Sequence, residues 1–227
     1  MEWGILVQRR ARPAGRGTHI IHAMGQLEPS LRKSLDRFAA HVPPGDLWVF
    51  GYGSLMWSPD FRFVERRAAQ LHGYHRSLCI YSHRYRGTPE RPGLVMGLCP
   101  GGSCMGVAFR VDKRHAKGTL ETLWQREMPN GVYEARLLPV RLGQRMVRAV
   151  AFVADSKHRQ FAGRLSIPET ARMVAQGCGM RGQNLDYLAQ TVAHMDELGM
   201  REGHLHEVLD AARRLCRQAG TRRAPAA

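Results

Sequence analysis

Hydrophobic positions follow two different patterns along this chain, and the change falls near residue 160. From residue 47 onward, short apolar or alternating runs predict strands over 47–52, 75–81, 94–98, 105–111, 132–140 and 146–153. One helix interrupts them at 113–126, with Asp112 as its N-cap and Ala116, Leu120, Leu123 and Trp124 on one face; Pro129-Asn130-Gly131 ends it. After residue 160 the spacing becomes wholly helical, over 168–176, 184–198 and 205–217, with glycine-containing breaks between. Ahead of the strands, Leu31, Leu35 and Phe38 place a short amphipathic helix at 29–41 that can lean on the core, and Pro43-Pro44-Gly45 stops it.

Six strands followed by helices, without repeated β-α-β units, read as an α+β domain. Residues 1–45 form an N-terminal extension whose first part is Arg- and Gly-rich, lacks periodicity and is expected to be partly disordered. The domain proper spans 46–217, and 218–227 reads as a basic disordered tail. No run approaches the roughly 18 apolar residues of a membrane span, and the first residues lack the apolar core of a secretory signal, so a cytoplasmic protein without membrane attachment is expected.

Charge changes this picture little. The chain carries a formal +15, but residues 1–45 hold seven Arg/Lys against three acids and 211–227 hold five Arg and no acid, while the 165 residues between carry 22 against 16. The basic excess is concentrated in the tails, and no zinc-finger spacing or RNP-like run accompanies it. No specific nucleic-acid partner is expected, and the same charge suits a small anionic metabolite. Five cysteines without a Cys-x-x-Cys pair argue against a disulfide framework and a zinc ribbon, and read as buried reduced thiols. Histidine pairs such as His72/His75 and His204/His206 lack a neighbouring third ligand, so neither a metal nor another cofactor is predicted.

Candidate chemistry sits in two places. The run Trp48-Val49-Phe50 breaks into Gly51-Tyr52-Gly53-Ser54, where two glycines allow positive φ and leave room for backbone N–H groups to converge on an oxygen. A plain tight turn after a strand is an equal reading. Phosphate is disfavoured, since Met56 stands where a dinucleotide fingerprint needs glycine and no Gly-Lys-Ser/Thr follows. Glu127 falls where its helix runs out, beside apolar side chains and the negative end of the helix dipole, and both would raise its pKa into the range of a useful base. A solvated glutamate at a frayed helix end is the alternative. Glu90, Glu121 and Glu134 are rival carboxylates. No Gly-x-Ser-x-Gly elbow and no paired cysteine base indicates covalent catalysis.

Taken in order, Phe50-Gly51-Tyr52-Gly53-Ser54-Leu55, Tyr85-Arg86-Gly87-Thr88-Pro89-Glu90-Arg91-Pro92-Gly93, Gly101-Gly102-x-Cys104-x-Gly106, Arg126-Glu127 and Gly182-x-Asn184-x-x-Tyr187 resemble the ChaC family of γ-glutamylcyclotransferases over about residues 46–200. The resemblance implies a small barrel-like mixed sheet of about six strands with peripheral helices. It implies cleavage of glutathione, the small-molecule substrate, to 5-oxoproline and cysteinylglycine without hydrolysis. It further implies Glu127 as the catalytic acid/base and Val49, Phe50, Gly51, Tyr52, Gly53, Ser54 and Leu55 as the substrate site, with Arg86 pairing a substrate carboxylate and Tyr187 closing the pocket. Other γ-glutamyl compounds as substrates, or a catalytically silent γ-glutamyl-binding module, are the alternatives.

Overall fold

The computed structural model describes residues 27–221. The expectations for residues 1–26 and 222–227 lie outside them. Helix α1 (Pro29–Ala39) leads into strand β1 (Leu47–Gly51), a single 3-10 turn (Ser54–Met56), and the long strands β2 (Glu65–Ser82) and β3 (Gly93–Val111). Helix α2 (Lys113–Glu127), strands β4 (Tyr133–Leu142) and β5 (Arg145–Ala154), and helix α3 (Ile167–Gln176) follow. A two-residue hairpin of β6 (Cys178–Gly179) and β7 (Gly182–Gln183), then helices α4 (Asn184–Glu197) and α5 (Gly203–Thr221), complete the described chain.

Strands β1 to β5 close into a barrel in the order β1-β3-β2-β4-β5. All neighbours are antiparallel except β1 and β5, whose parallel pairing of Trp48 with Ala149 and Val49 with Val150 makes the closed sheet mixed. Closure explains why β1 is an unbroken apolar run, for it is buried on both faces. Trp48 and Phe50 pack with Leu71, Leu98 and the apolar faces of α3, α4 and α5, whereas Leu47 and Val49 pack with Leu35 of α1 and Leu123 and Trp124 of α2. Residues 27–45 are therefore anchored to the barrel, as the amphipathic spacing of α1 predicts.

The barrel has five strands where the sequence pattern indicates six. The runs 94–98 and 105–111 belong to one 19-residue strand, β3, which stays paired with β2 through a corner. Gly101 and Gly102 (φ 95° and 70°) face the register shift around Gly73 (φ 83°), so both strands of the hairpin bend at one place instead of breaking. Likewise β2 begins ten residues before the predicted 75, because its first half is an alternating, largely charged and polar segment that pairs with the far half of β3.

Helix α2 starts where expected, with the Asp112 side chain accepting from the Arg114 N–H. Helix α5 runs through Thr221 and so takes in the first residues of the predicted tail. All five cysteines are free; Cys79, Cys99 and Cys104 are buried, but Cys178 on the small hairpin is exposed and Cys216 half-buried, so the expectation of burial fails for these two. Among the described residues no helix is long and apolar enough to cross a membrane.

Candidate active site

A cavity of about 830 Å³ opens at one end of the barrel. Its wall is built from the chain that leaves β1, the end of β2, the start of β3, the C-terminal turn of α2 and the first turn of α4. Tyr52, Gly53, Ser54, Leu55, Arg86, Glu127 and Tyr187 all line it. Val49, Phe50 and Gly51, which the resemblance also implies, stand in β1 just ahead of this lining. Strand alternation turns the side chains of Val49 and Phe50 into the two apolar clusters, where each is fully buried behind the wall.

The turn after β1 differs from expectation in its backbone. Neither Gly51 nor Gly53 has positive φ. Their lack of a side chain answers crowding instead: a Cβ on Gly51 would lie 3.0 Å from the Cβ of Leu55, and one on Gly53 would lie 3.3 Å from the Cβ of Met96 and 3.7 Å from Oη of Tyr187. The bonds that close the turn are donated by Met56 N–H to the Gly53 carbonyl and by Trp57 and Ser58 N–H to the Ser54 carbonyl. None of them uses the N–H groups of Gly53, Ser54 or Leu55, the three turn residues that line the cavity.

Glu127 is the last residue of α2, and its side chain keeps 17% exposure, enclosed by protein yet open to the cavity. Burial raises its carboxyl above the ordinary glutamate value, while the positive charges of Arg126 and Arg181 pull it down and Asp60 adds to the rise. Burial is thus the dominant cause where the sequence pointed to the helix dipole as well.

Sequence reasoning quoted Arg126 only as half of a motif, but the fold makes it the centre of the site. Its guanidinium meets Glu127 at 3.0 Å, donates to Oγ of Ser54 at 2.8 Å and to the Ser58 carbonyl at 2.5 Å, and pairs with Asp60 at 2.6 Å. One planar cation therefore fixes the carboxylate and the turn relative to each other. No signal short of the tertiary fold identifies this, because Ser54 and Arg126 are 72 residues apart.

Of the five tyrosines that line the same cavity, Tyr52, Tyr133 and Tyr187 each set the hydroxyl on the backbone. Tyr52 donates to the Phe152 carbonyl at 2.7 Å, Tyr133 donates to the Met96 carbonyl at 2.8 Å, and Tyr187 accepts from Met96 N–H at 3.2 Å. Burial pushes the Tyr187 phenol up to about 12 and those of Tyr52 and Tyr133 well above their ordinary value, with the Glu127 charge adding to each rise. All three stay protonated and neutral. Tyr133 has no motif around it and was not legible in the sequence.

Arg86 reaches the cavity wall, but its Nη1 is engaged by the Arg181 and Gln183 carbonyls at 2.6 and 3.1 Å, and its guanidinium lies over the Tyr187 ring at 5.3 Å. It secures the β6–β7 hairpin and braces Tyr187. Arg84, Arg159 and Arg181 complete a basic rim suited to a carboxylate-bearing ligand. The rival carboxylates stand elsewhere: Glu121 binds Arg32 of α1 at 2.6 Å, Glu134 binds Arg136 at 2.6 Å, and Glu90 is exposed in the 85–93 loop. Among the described residues no cluster of His, Cys, Asp or Glu is arranged to hold a metal.

The fold has counterparts in known proteins. The model of the ChaC-like protein family matches residues 47–215. The glutathione-specific gamma-glutamylcyclotransferase of Escherichia coli strain K12 is 33% identical over 202 residues, covering 85% of this chain and 87% of that protein. The human glutathione-specific gamma-glutamylcyclotransferase 1 is 30% identical over 175 residues, covering 74% and 79%. A crystal structure of a gamma-glutamyl cyclotransferase specific to glutathione from yeast superimposes with a TM-score of 0.69 at 22% identity, over 75% of this chain and 96% of that one, and so shares the fold. The family match over residues 47–215, with a relative at 33% identity that covers more than four fifths of both chains, shows that this chain belongs to the ChaC family of gamma-glutamylcyclotransferases.

Proposed function

We propose that this protein degrades glutathione by intramolecular cyclisation, releasing 5-oxoproline and cysteinylglycine. The observation that carries the reading is the enclosed Glu127 carboxyl, raised in pKa and opening on the same cavity as the Tyr52–Leu55 turn. The free α-amine of a γ-glutamyl group reaches its own γ-carbonyl through a five-membered ring. The protein's task is to hold that curled conformer and to carry protons from the attacking nitrogen to the departing one. Orientation of this kind is worth roughly 7–11 kcal/mol in well-aligned intramolecular reactions, which accounts for a site without a nucleophilic side chain.

In this mechanism Glu127 takes a proton from the substrate ammonium, freeing the amine to attack the γ-carbonyl carbon. Closing the C–N bond puts a positive charge on the ring nitrogen; as the bond to the cysteine nitrogen breaks, the Glu127 carboxyl protonates the departing amine, and the carboxylate so regenerated relays the second proton of the ring nitrogen to the same amine, which leaves as an ammonium. No water is consumed. Charge that builds on the γ-carbonyl oxygen is met by N–H groups of the Gly53–Leu55 turn, a contribution of about 2.7–4 kcal/mol per donor in comparable oxyanion sites. Tyr52 and Tyr187 supply the walls, and the basic rim faces the substrate carboxylates. Arg86 acts through the hairpin and Tyr187, which its observed contacts favour over direct pairing with substrate. Free thiols suit a reducing, cytoplasmic setting, where glutathione is at hand.

Incubating the protein with glutathione and following 5-oxoproline and cysteinylglycine tests the proposal directly. Equimolar release of both products supports it. Release of free glutamate in place of 5-oxoproline would show hydrolysis and overturn the cyclisation mechanism.

A further inference from the structure

Arg76 of β2 lies outside the cavity wall, and its side chain has no exposed surface. Its guanidinium is engaged on every side. Nε donates to the Tyr52 carbonyl at 2.5 Å, Nη2 donates to the Met105 carbonyl of β3 at 2.5 Å and approaches Sδ of Met56 at 3.9 Å, and Nη1 is ion-paired with Glu202, the residue immediately before α5. Stability alone is a weak reason for such a residue. A buried ion pair is often matched or bettered by apolar side chains of the same volume, because both charges lose their hydration.

The Tyr52 carbonyl gives a better reason. It belongs to the peptide unit whose N–H is that of Gly53, and a trans peptide points its C=O and N–H in opposite directions. Gripping the carbonyl from the Arg76 side therefore sets the direction of the Gly53 N–H on the other side, and Gly53 lines the cavity. A cation hydrogen-bonded to the carbonyl also polarises the amide and makes its N–H a stronger donor.

We propose that Arg76 is a positioning residue that aims and polarises the Gly53 N–H toward the substrate's γ-carbonyl oxygen, held in place by Glu202 from the α4–α5 junction. The inference rests on the cyclotransferase reading of the cavity, since such a donor matters where negative charge builds on an acyl oxygen. It links the helical layer to the reacting centre through two side chains.

The test compares Arg76→Gln and Arg76→Lys with the wild-type enzyme, with thermal melting used to score only folded protein. Arg76→Gln is expected to lose roughly 10- to 100-fold in kcat with KM changed less than about threefold, somewhat below the ~10²–10³ that follows outright loss of an oxyanion donor. Arg76→Lys, which keeps a cation behind the carbonyl, is expected to recover part of that loss. A folded Arg76→Gln with wild-type kcat, or with the loss confined to KM, overturns the proposal. If the glutamine variant does not fold, the lysine variant decides: reduced kcat at constant KM supports the proposal, and wild-type kcat overturns it. Independently of turnover, the Gly53 amide proton resonance is expected to move upfield in Arg76→Lys while amides remote from the turn keep their positions. An unmoved Gly53 resonance overturns the clamp. A wild-type enzyme inactive on glutathione and other γ-glutamyl compounds would instead overturn the reading of the cavity, and the resonance would then judge the clamp by itself.

Discussion

The Glu127 carboxyl is held between opposing influences, burial that favours its neutral form and the Arg126 guanidinium that favours its charge, and the balance lies on the side of a raised pKa. Replacing it by glutamine keeps the shape and removes the proton carrier of the proposed mechanism. Glu127→Gln is expected to bind glutathione and to lose at least about 10³-fold in 5-oxoproline release, within the range general acid/base groups contribute. In the proposed mechanism the base form is the active one, so kcat should rise with pH through the raised pKa, with its acid limb above the ordinary glutamate value of about 4.3; a pH–rate profile checks this. The same shift has a stability consequence of known sign. Above the unfolded value the unfolded chain ionises freely while the folded site resists, so wild type should lose stability relative to Glu127→Gln as pH rises toward the folded pKa. Melting both proteins across that interval reads the difference, and a constant gap would contradict the shift. Gly53→Val tests the turn: its Cβ falls 3.3 Å from that of Met96, so kcat/KM is expected to drop at least about tenfold through displacement of the backbone. Glu127 was legible because its position at a helix end beside apolar residues is a local property. Arg126, Tyr133 and Arg76 were not, since each acts on backbone or side chains far away in the sequence.

Elements position these residues through both faces of the barrel wall. Helix α2 delivers Arg126 and Glu127 to the cavity because Leu123 and Trp124 seat it against β1 and β5, and Phe38 of α1 packs on Trp124 at 4.9 Å between ring centroids. Trp124 is 1% exposed, so Trp124→Ala is expected to cost about 3–5 kcal/mol in a denaturant melt and to unseat the turn that carries Arg126 and Glu127 with it. On the other side, α4 is docked by side chains that imitate a strand. Asn184 accepts from Leu94 N–H at 2.6 Å and donates to the Leu94 carbonyl at 2.7 Å, and one turn later Tyr187 accepts from Met96 N–H. That explains the spacing Gly182-x-Asn184-x-x-Tyr187 as a way of completing the edge of β3. Arg86 adds the hairpin to this assembly. Arg86→Met should raise hydrogen exchange over residues 178–183 and lower kcat/KM; unchanged exchange there would mean the hairpin stands without it.

At the scale of the whole molecule, the basic rim and a cavity of about 830 Å³ offer more room than the γ-glutamyl group alone requires, so choice among leaving groups rests on contacts beyond the reacting amide. Comparing glutathione with γ-glutamyl-alanine and γ-glutamyl-lysine is expected to give the highest kcat/KM for glutathione; equal values would mark a general γ-glutamylcyclotransferase. What the sequence determined by itself is the class and order of the elements and the motifs that mark the family. Periodicity, caps and glycine or proline breaks act over a few residues, and the ordered motifs needed no knowledge of which surfaces meet. Tertiary structure decided the rest. It joined two apolar runs into one bent strand, turned Val49 and Phe50 away from the cavity, and drew Ser54, Arg126 and Glu127 into one network. The physical reason is closure of the barrel: a side chain's periodicity shows that one face is buried, but only pairing between distant strands settles whether the neighbour on that face is core, helix or substrate.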